Sequence, residues 1–239
     1  MEIGNGINPG RWMNFNGDVP MKFDEHVKQS IPGYDRVMEK IGFISQFFIM
    51  DGSNYLDIGS STGRTIFEVV NNNYGKKFQV DAVDKSPEMV QFLRDKWLQS
   101  KPWVHEFNAW NVDIQQFYPA KKYDLVVASL VLQFIRPDHR QMLLDVFNAS
   151  LITGGCLLWY EKCSEESATA TEVNKQYLNS YKKSAGLSHA DILTKDETLR
   201  GVMNPRSFSE NLEMLEAAGF SEVSVIDKDG TFTLFMAIR

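Results

Sequence analysis

The stretch Asp57-Ile58-Gly59-Ser60-Ser61-Thr62-Gly63 places an acid at the end of a short apolar run, then two glycines around three hydroxyl residues. Such glycines let a chain turn tightly and approach a ligand, although an ordinary strand-to-helix turn uses them as well. A second acid, Asp84, ends the next apolar run, 21 residues beyond Gly63. An acid there accepts both hydroxyl hydrogens of a ribose, or caps the helix that Ser86-Pro87-Glu88 opens; the two roles are compatible. Asp113 follows a third run. Its side chain is placed to face an adenine amino group while Ile114 covers the ring, or it is a plain turn acid. Taken together, Gly59, Gly63, Asp84 and Asp113 outline an adenosine pocket. A pyrophosphate needs bare backbone at a helix N-terminus. Ser60, Ser61 and Thr62 crowd that space and suit S-adenosylmethionine, an adenosine with an amino-acid tail. Asp57 and the loop backbone then meet the tail's ammonium or its ordered water.

These residues need strands to carry them and helices to follow. The runs at 54–58, 78–84, 103–112, 123–134 and 156–162 read as strands. The run at 123–134 is nearly all apolar, as a central parallel strand is. Helical patterns lie between them, the one at 137–151 stopping before Gly154-Gly155. Two more strands end the chain, "EVSVID" and "TFTLFMAI", joined as a hairpin across Lys228-Asp229-Gly230. The alternation predicts an α/β fold: a doubly wound, Rossmann-like, seven-stranded sheet whose last strand is antiparallel. Four segments are expected. Residues 1–50 form an irregular and then helical stretch covering the site, irregular over 1–22 and split into two helices at Pro32-Gly33. Residues 51–162 form the cofactor-binding core, 163–206 an inserted helical cap, and 207–239 a C-terminal helix and hairpin.

The composition fits this plan. The chain has 239 residues, 43% of them hydrophobic, with 16 Phe and 5 Trp, which is enough for a sizeable core. No apolar run approaches a membrane span, and the N-terminus does not read as a signal peptide. Cys156 and Cys163 make no disulfide framework, and a reducing cytoplasm is the expected setting. The net charge is −6 with no basic stripe, against any extended nucleic-acid surface. The four histidines show no metal-ligand spacing.

The Asp-x-Gly-x-Ser-x-Gly turn, with "FDEHV", "SIPGY", "VDKSPEMV", "LQFIRP" and "EAAGF", resembles the carboxy-S-adenosylmethionine synthase family of class I S-adenosylmethionine-dependent methyltransferases. The likeness spans residues 23 to 239. It implies cofactor contacts at Tyr34, Gly59, Asp84, Lys85, Asp113, Ile114 and Ser129, beside Asp57, Ser60, Ser61, Gly63 and Ser86 of the turns. It also implies a homodimer. The chain departs from the family at three places, one of them a shorter segment between "FDEHV" and "SIPGY". Ser129 stands where Asn is usual; Ser is shorter, so that contact is weaker or water-mediated. Thr194-Lys195-Asp196 replaces the Gln-Lys-Arg whose arginine binds the extra carboxylate of the carboxylated cofactor; an Asp there repels it. Unmodified S-adenosylmethionine is therefore the expected cofactor, with S-adenosylhomocysteine as product. The expected reaction is methyl transfer to a small molecule or an exposed nucleoside. Two alternatives remain: a carboxy-S-adenosylmethionine synthase-like enzyme in tRNA wobble-uridine modification, and a non-catalytic binder. No catalytic group is fixed; Tyr34, Tyr177 and Arg200 are candidates, with Tyr160, Glu161, Lys162 and Tyr181 also on the acceptor side.

Overall fold

A computed structural model of the chain describes residues 19 to 239. The expectation of irregular backbone over 1–22 lies outside the described residues as far as residue 18. Over 19–22 it is corrected, because α1 (Val19–Ser30) already runs through them. A bend at Pro32-Gly33 leads into α2 (Tyr34–Ser45).

The sheet contains β1 (Asn54–Ile58), β2 (Gln79–Asp84), β3 (Glu106–Asn111), β4 (Tyr123–Ser129), β5 (Leu151–Lys162), β6 (Glu222–Asp229) and β7 (Phe232–Ile238). Their order is β3-β2-β1-β4-β5-β7-β6. Strands β1 to β5 pair in parallel, and β7 runs antiparallel to both β5 and β6. The chain reverses its winding between β1 and β4, the place where ligands settle in such sheets, beyond the carboxyl ends of the strands.

Side chains alternate across each central strand, so two cores form. Tyr55, Val80, Leu125, Val127, Leu158 and Tyr160 pack toward α1, α2, α3 (Arg64–Asn72) and α4 (Pro87–Ser100). Leu56, Val83, Val126, Ala128, Leu157 and Trp159 pack toward α5 (Pro137–Ser150) and α8 (Phe208–Ala217). Helix starts follow their caps. Ser86 accepts the Met89 amide at 3.2 Å ahead of Pro87, and Ser207 with Glu210 forms a reciprocal capping box on α8. Between β5 and α8 lie α6 (Ala168–Ser184) and α7 (His189–Leu199), α6 resting on α1.

Several boundaries differ from the sequence reading. The run at 123–134 is a strand only to Ser129 and then forms a short 3-10 helix at Leu132–Phe134, and the run at 103–112 narrows to Glu106–Asn111. Helix α5 stops at Ser150, and β5 begins at once, taking Gly154-Gly155 into its interior where the pairing with β4 shifts register. The bulge absorbs residues that the sequence reading treats as a stop. The terminal hairpin turns at Gly230-Thr231 rather than across Lys228-Asp229-Gly230, because Lys228 and Asp229 remain paired to β7.

Candidate functional site

The turn between β1 and α3 is held in one shape by packing and by hydrogen bonds. Gly59 and Gly63 have φ of +66° and +80°. A Cβ on Gly59 would lie 2.3 Å from Val131 Cγ2, and one on Gly63 2.4 Å from Leu93 Cδ1. Both glycines are therefore required by neighbouring side chains as well as by backbone angle. Ser61 also has a positive φ, +47°, and its amide donates to Asp84 Oδ2 at 2.8 Å. The Ser86 amide donates to Asp84 Oδ1 at 2.8 Å. Asp84 thus ties the two turns together, and each oxygen keeps acceptor capacity. Burial raises its pKa.

Asp57 lies below the turn, 2% exposed. Its Oδ2 accepts the Tyr55 hydroxyl and, at 2.5 Å, the Thr65 hydroxyl. Burial pushes its pKa up to about 7, against the pull of both hydroxyls. A buried carboxyl with hydroxyl donors and no cation suits an arriving ammonium group. Above it, the Ser60 hydroxyl and Arg64 Nε are buried without partners. Unpaired buried polar atoms are costly, and both of these would be satisfied by a ligand that reached the turn.

Other expected contacts ring this turn. Asp113 caps the short helix 114–116 by accepting the Gln115 amide at 2.9 Å, and Ile114 is 8% exposed against Leu56, Ile58 and Val83. Ser129 ends β4 opposite Tyr160. Lys85 is exposed and Ser86 buried. Tyr34 opens α2 nearly buried; burial, then Asp24, raises its hydroxyl's pKa. The Tyr160 hydroxyl is buried and has no partner.

Several acceptor-side expectations are redirected by geometry. Glu161 faces the opposite core from Tyr160 and Lys162, because neighbours on a strand point to opposite faces. There it accepts Trp159 Nε1–H at 2.7 Å, and burial pushes its pKa up to about 8. The Tyr177 hydroxyl donates to Asp229 at 2.7 Å, on the terminal hairpin. The Tyr181 hydroxyl donates to the Lys28 carbonyl at 2.7 Å, fastening α6 to α1. Arg200 is exposed where α7 ends.

The sequence reading expected residues 1–50 to cover the site but named none of the contacts that α1 makes. Asp24 accepts the Thr62 hydroxyl at 2.5 Å, so α1 lies directly on the glycine turn. Two residues on, His26 Nε2 lies 2.8 Å from Lys195 Nζ, which also donates to Ser30 at 2.7 Å. The signals in the sequence are the "FDEHV" stretch itself and the spacing of His26 and Ser30, four apart on a helix that also buries Val27.

A family model described as a methyltransferase domain matches residues 56–157. Carboxy-S-adenosyl-L-methionine synthase of Campylobacter jejuni subsp. doylei is 30% identical over 232 residues, 97% of this chain and 96% of that protein. The protein of the same name from Staphylococcus epidermidis is 27% identical, covering 97% of this chain and 99% of its own. The chain belongs to the carboxy-S-adenosyl-L-methionine synthase family. Solved structures extend the likeness of fold. PigF with SAH superposes with a TM-score of 0.61 at 18% identity over 97% of this chain and 60% of that one. An O-methyltransferase family protein from Burkholderia thailandensis gives 0.62 at 12% identity, over 92% of this chain and 59% of that one. This chain thus spans about three fifths of each of those structures. The family is one of transferases on the class I methyltransferase fold, and its cofactor is S-adenosylmethionine. The orphaned Ser60 hydroxyl, the buried Asp57 and the open lone pairs of Asp84 fit that molecule.

Proposed function

We propose that this member of the carboxy-S-adenosyl-L-methionine synthase family transfers a methyl group from S-adenosylmethionine to a small molecule or an exposed nucleoside. The observation that carries this reading is the turn itself: Asp57 buried beneath it, Ser60 unpartnered on it, and Asp84 bridging it to the next turn. In this reading Asp84 takes the ribose hydroxyls, Asp113 and Ile114 the adenine, and Asp57 with the turn backbone the ammonium tail. When bound, the cofactor supplies a methyl group already activated by a sulfonium. The chain's own part is alignment and exclusion of water. Val131 and the strap of α1 close the turn. A base is needed only if the acceptor must lose a proton.

A second reading, carboxy-S-adenosylmethionine synthesis, is favoured by the full-length match to proteins of that name. Against it, Asp196 occupies the place where the resemblance implies a carboxylate-binding arginine. Mass spectrometry of the ligand that co-purifies separates the two. Unmodified cofactor or S-adenosylhomocysteine is expected; a carboxylated sulfonium would overturn the first reading. Incubation with labelled S-adenosylmethionine and cell extract is expected to label a small-molecule or nucleoside fraction. Labelling of none, with unmodified cofactor co-purifying, favours a binding protein.

A further inference from the structure

Three lysines from three different elements lie within electrostatic reach of one another. Lys162 ends β5, on the same face as Tyr160. Lys182 comes from α6 and is 5% exposed; Lys195 comes from α7 and turns its ammonium inward onto His26 and Ser30. The acids near them are Asp196, 3.4 Å from Lys182 and 41% exposed at its side chain, and Asp191, which faces His26 and caps α7. Burial holds His26 neutral, with a pKa lowered to about 3. Burial and then Lys182 lower Lys195 to about 7, while burial and then Lys182 also depress Lys162. Buried cations in excess of their acids are unfavourable unless something negative joins them.

We infer that Lys162, Lys182 and Lys195 form a subsite for the anionic end, carboxylate or phosphate, of the small molecule that reacts beside the cofactor. This deepens the proposed function and rests on it only for the identity of that molecule as the acceptor. Position supports it. Lys162 follows Tyr160, which pairs with Ser129 at the carboxyl end of β4, next to the Asp57 strand. His26 and Ser30 lie on the helix whose Asp24 grips the glycine turn. An anion held there sits at the rim of the cofactor site, on its acceptor side. Asp196 already pairs with Lys182 and so competes with an arriving anion, weakening the subsite instead of building it.

The test titrates succinate, and separately inorganic phosphate, into the full chain saturated with S-adenosylhomocysteine, followed by calorimetry at low ionic strength. One of the two anions is expected to bind, and which one does tells carboxylate from phosphate. Lys162→Met, Lys182→Met and Lys195→Met are each expected to weaken that binding about tenfold or more, with S-adenosylhomocysteine affinity unchanged. Asp196→Asn, a near-isosteric change at a half-exposed side chain, is expected to tighten it several-fold and guards against variants that fold poorly. The inference is overturned if neither anion binds, or if the lysine variants and Asp196→Asn leave the affinity unmoved. It is also overturned if the lysine variants weaken S-adenosylhomocysteine instead, since the cofactor's own carboxylate would then be the occupant. Failure of the proposed function is a separate result: the anion binds through the lysines but no methylated product forms.

Discussion

At Gly59 a single added methyl group would lie 2.3 Å from Val131 Cγ2, on a backbone already at φ +66°. Two penalties therefore act on Gly59→Ala: left-handed strain and a clash with a side chain that has limited freedom to move. Together they are expected to destabilise the chain by about 2–4 kcal/mol, measured by denaturant unfolding. Val131→Ala removes the clash and leaves the strain. The double variant is expected to recover about 1–2 kcal/mol relative to additivity. Strict additivity would mean that Val131 does not confine the turn. The glycines were legible in the sequence as a tight turn. Their second role was not, because Val131 and Leu93 reach them from distant segments.

Helix α1 is the element that links the glycine turn to α6 and α7. Asp24 holds Thr62, the Lys28 carbonyl receives Tyr181, and His26 with Ser30 receives Lys195. Lys28 and Arg64 both pair with Asp35 at the start of α2. If the strap orders the turn for the cofactor, Asp24→Ala is expected to weaken S-adenosylhomocysteine binding about tenfold, equivalent to one charge-assisted hydrogen bond. Asp24→Asn, which keeps an acceptor, is expected to recover part of this loss. Equal affinities for all three proteins, by calorimetry, would refute the coupling. The strands were readable because their alternation and their acids lie within short windows. The strap was not, because its contacts join residues such as His26 and Lys195, 169 positions apart. The start of α1 was obscured by the Gly/Asn/Pro bias of the preceding residues, which carries no information about a helix that begins at Val19.

Across the whole molecule, two of the buried carboxyls sit on opposite faces of one sheet, Asp57 beneath the glycine turn and Glu161 against Trp159. Burial raises Asp57 to about 7 and Glu161 to about 8. A carboxyl raised in the folded state holds its proton where the unfolded chain has already released it. Its contribution to stability is full below the unfolded pKa and is lost as pH rises through the folded value. His26 and Lys195, both lowered, act in the opposite sense, so the total profile mixes signs. Comparing one variant with the parent isolates one group. Glu161→Gln keeps the shape and an acceptor for Trp159 but never ionises. Relative to the parent it is expected to gain stability steadily from about pH 5 to about pH 8, by up to ~1.4 kcal/mol per pH unit, and then level off. Urea unfolding of both proteins without ligand across that range checks it. A difference that stays flat would place the Glu161 proton in the ordinary carboxyl range and remove its burial from the energetics. Asp57 differs in one respect. An ammonium arriving beside it favours the ionised form, so cofactor binding should release its proton below pH 7 and tighten as pH rises toward that value. The pH dependence near neutrality therefore divides by face. The Asp57 part disappears when the cofactor binds, and the Glu161 part persists in the bound protein.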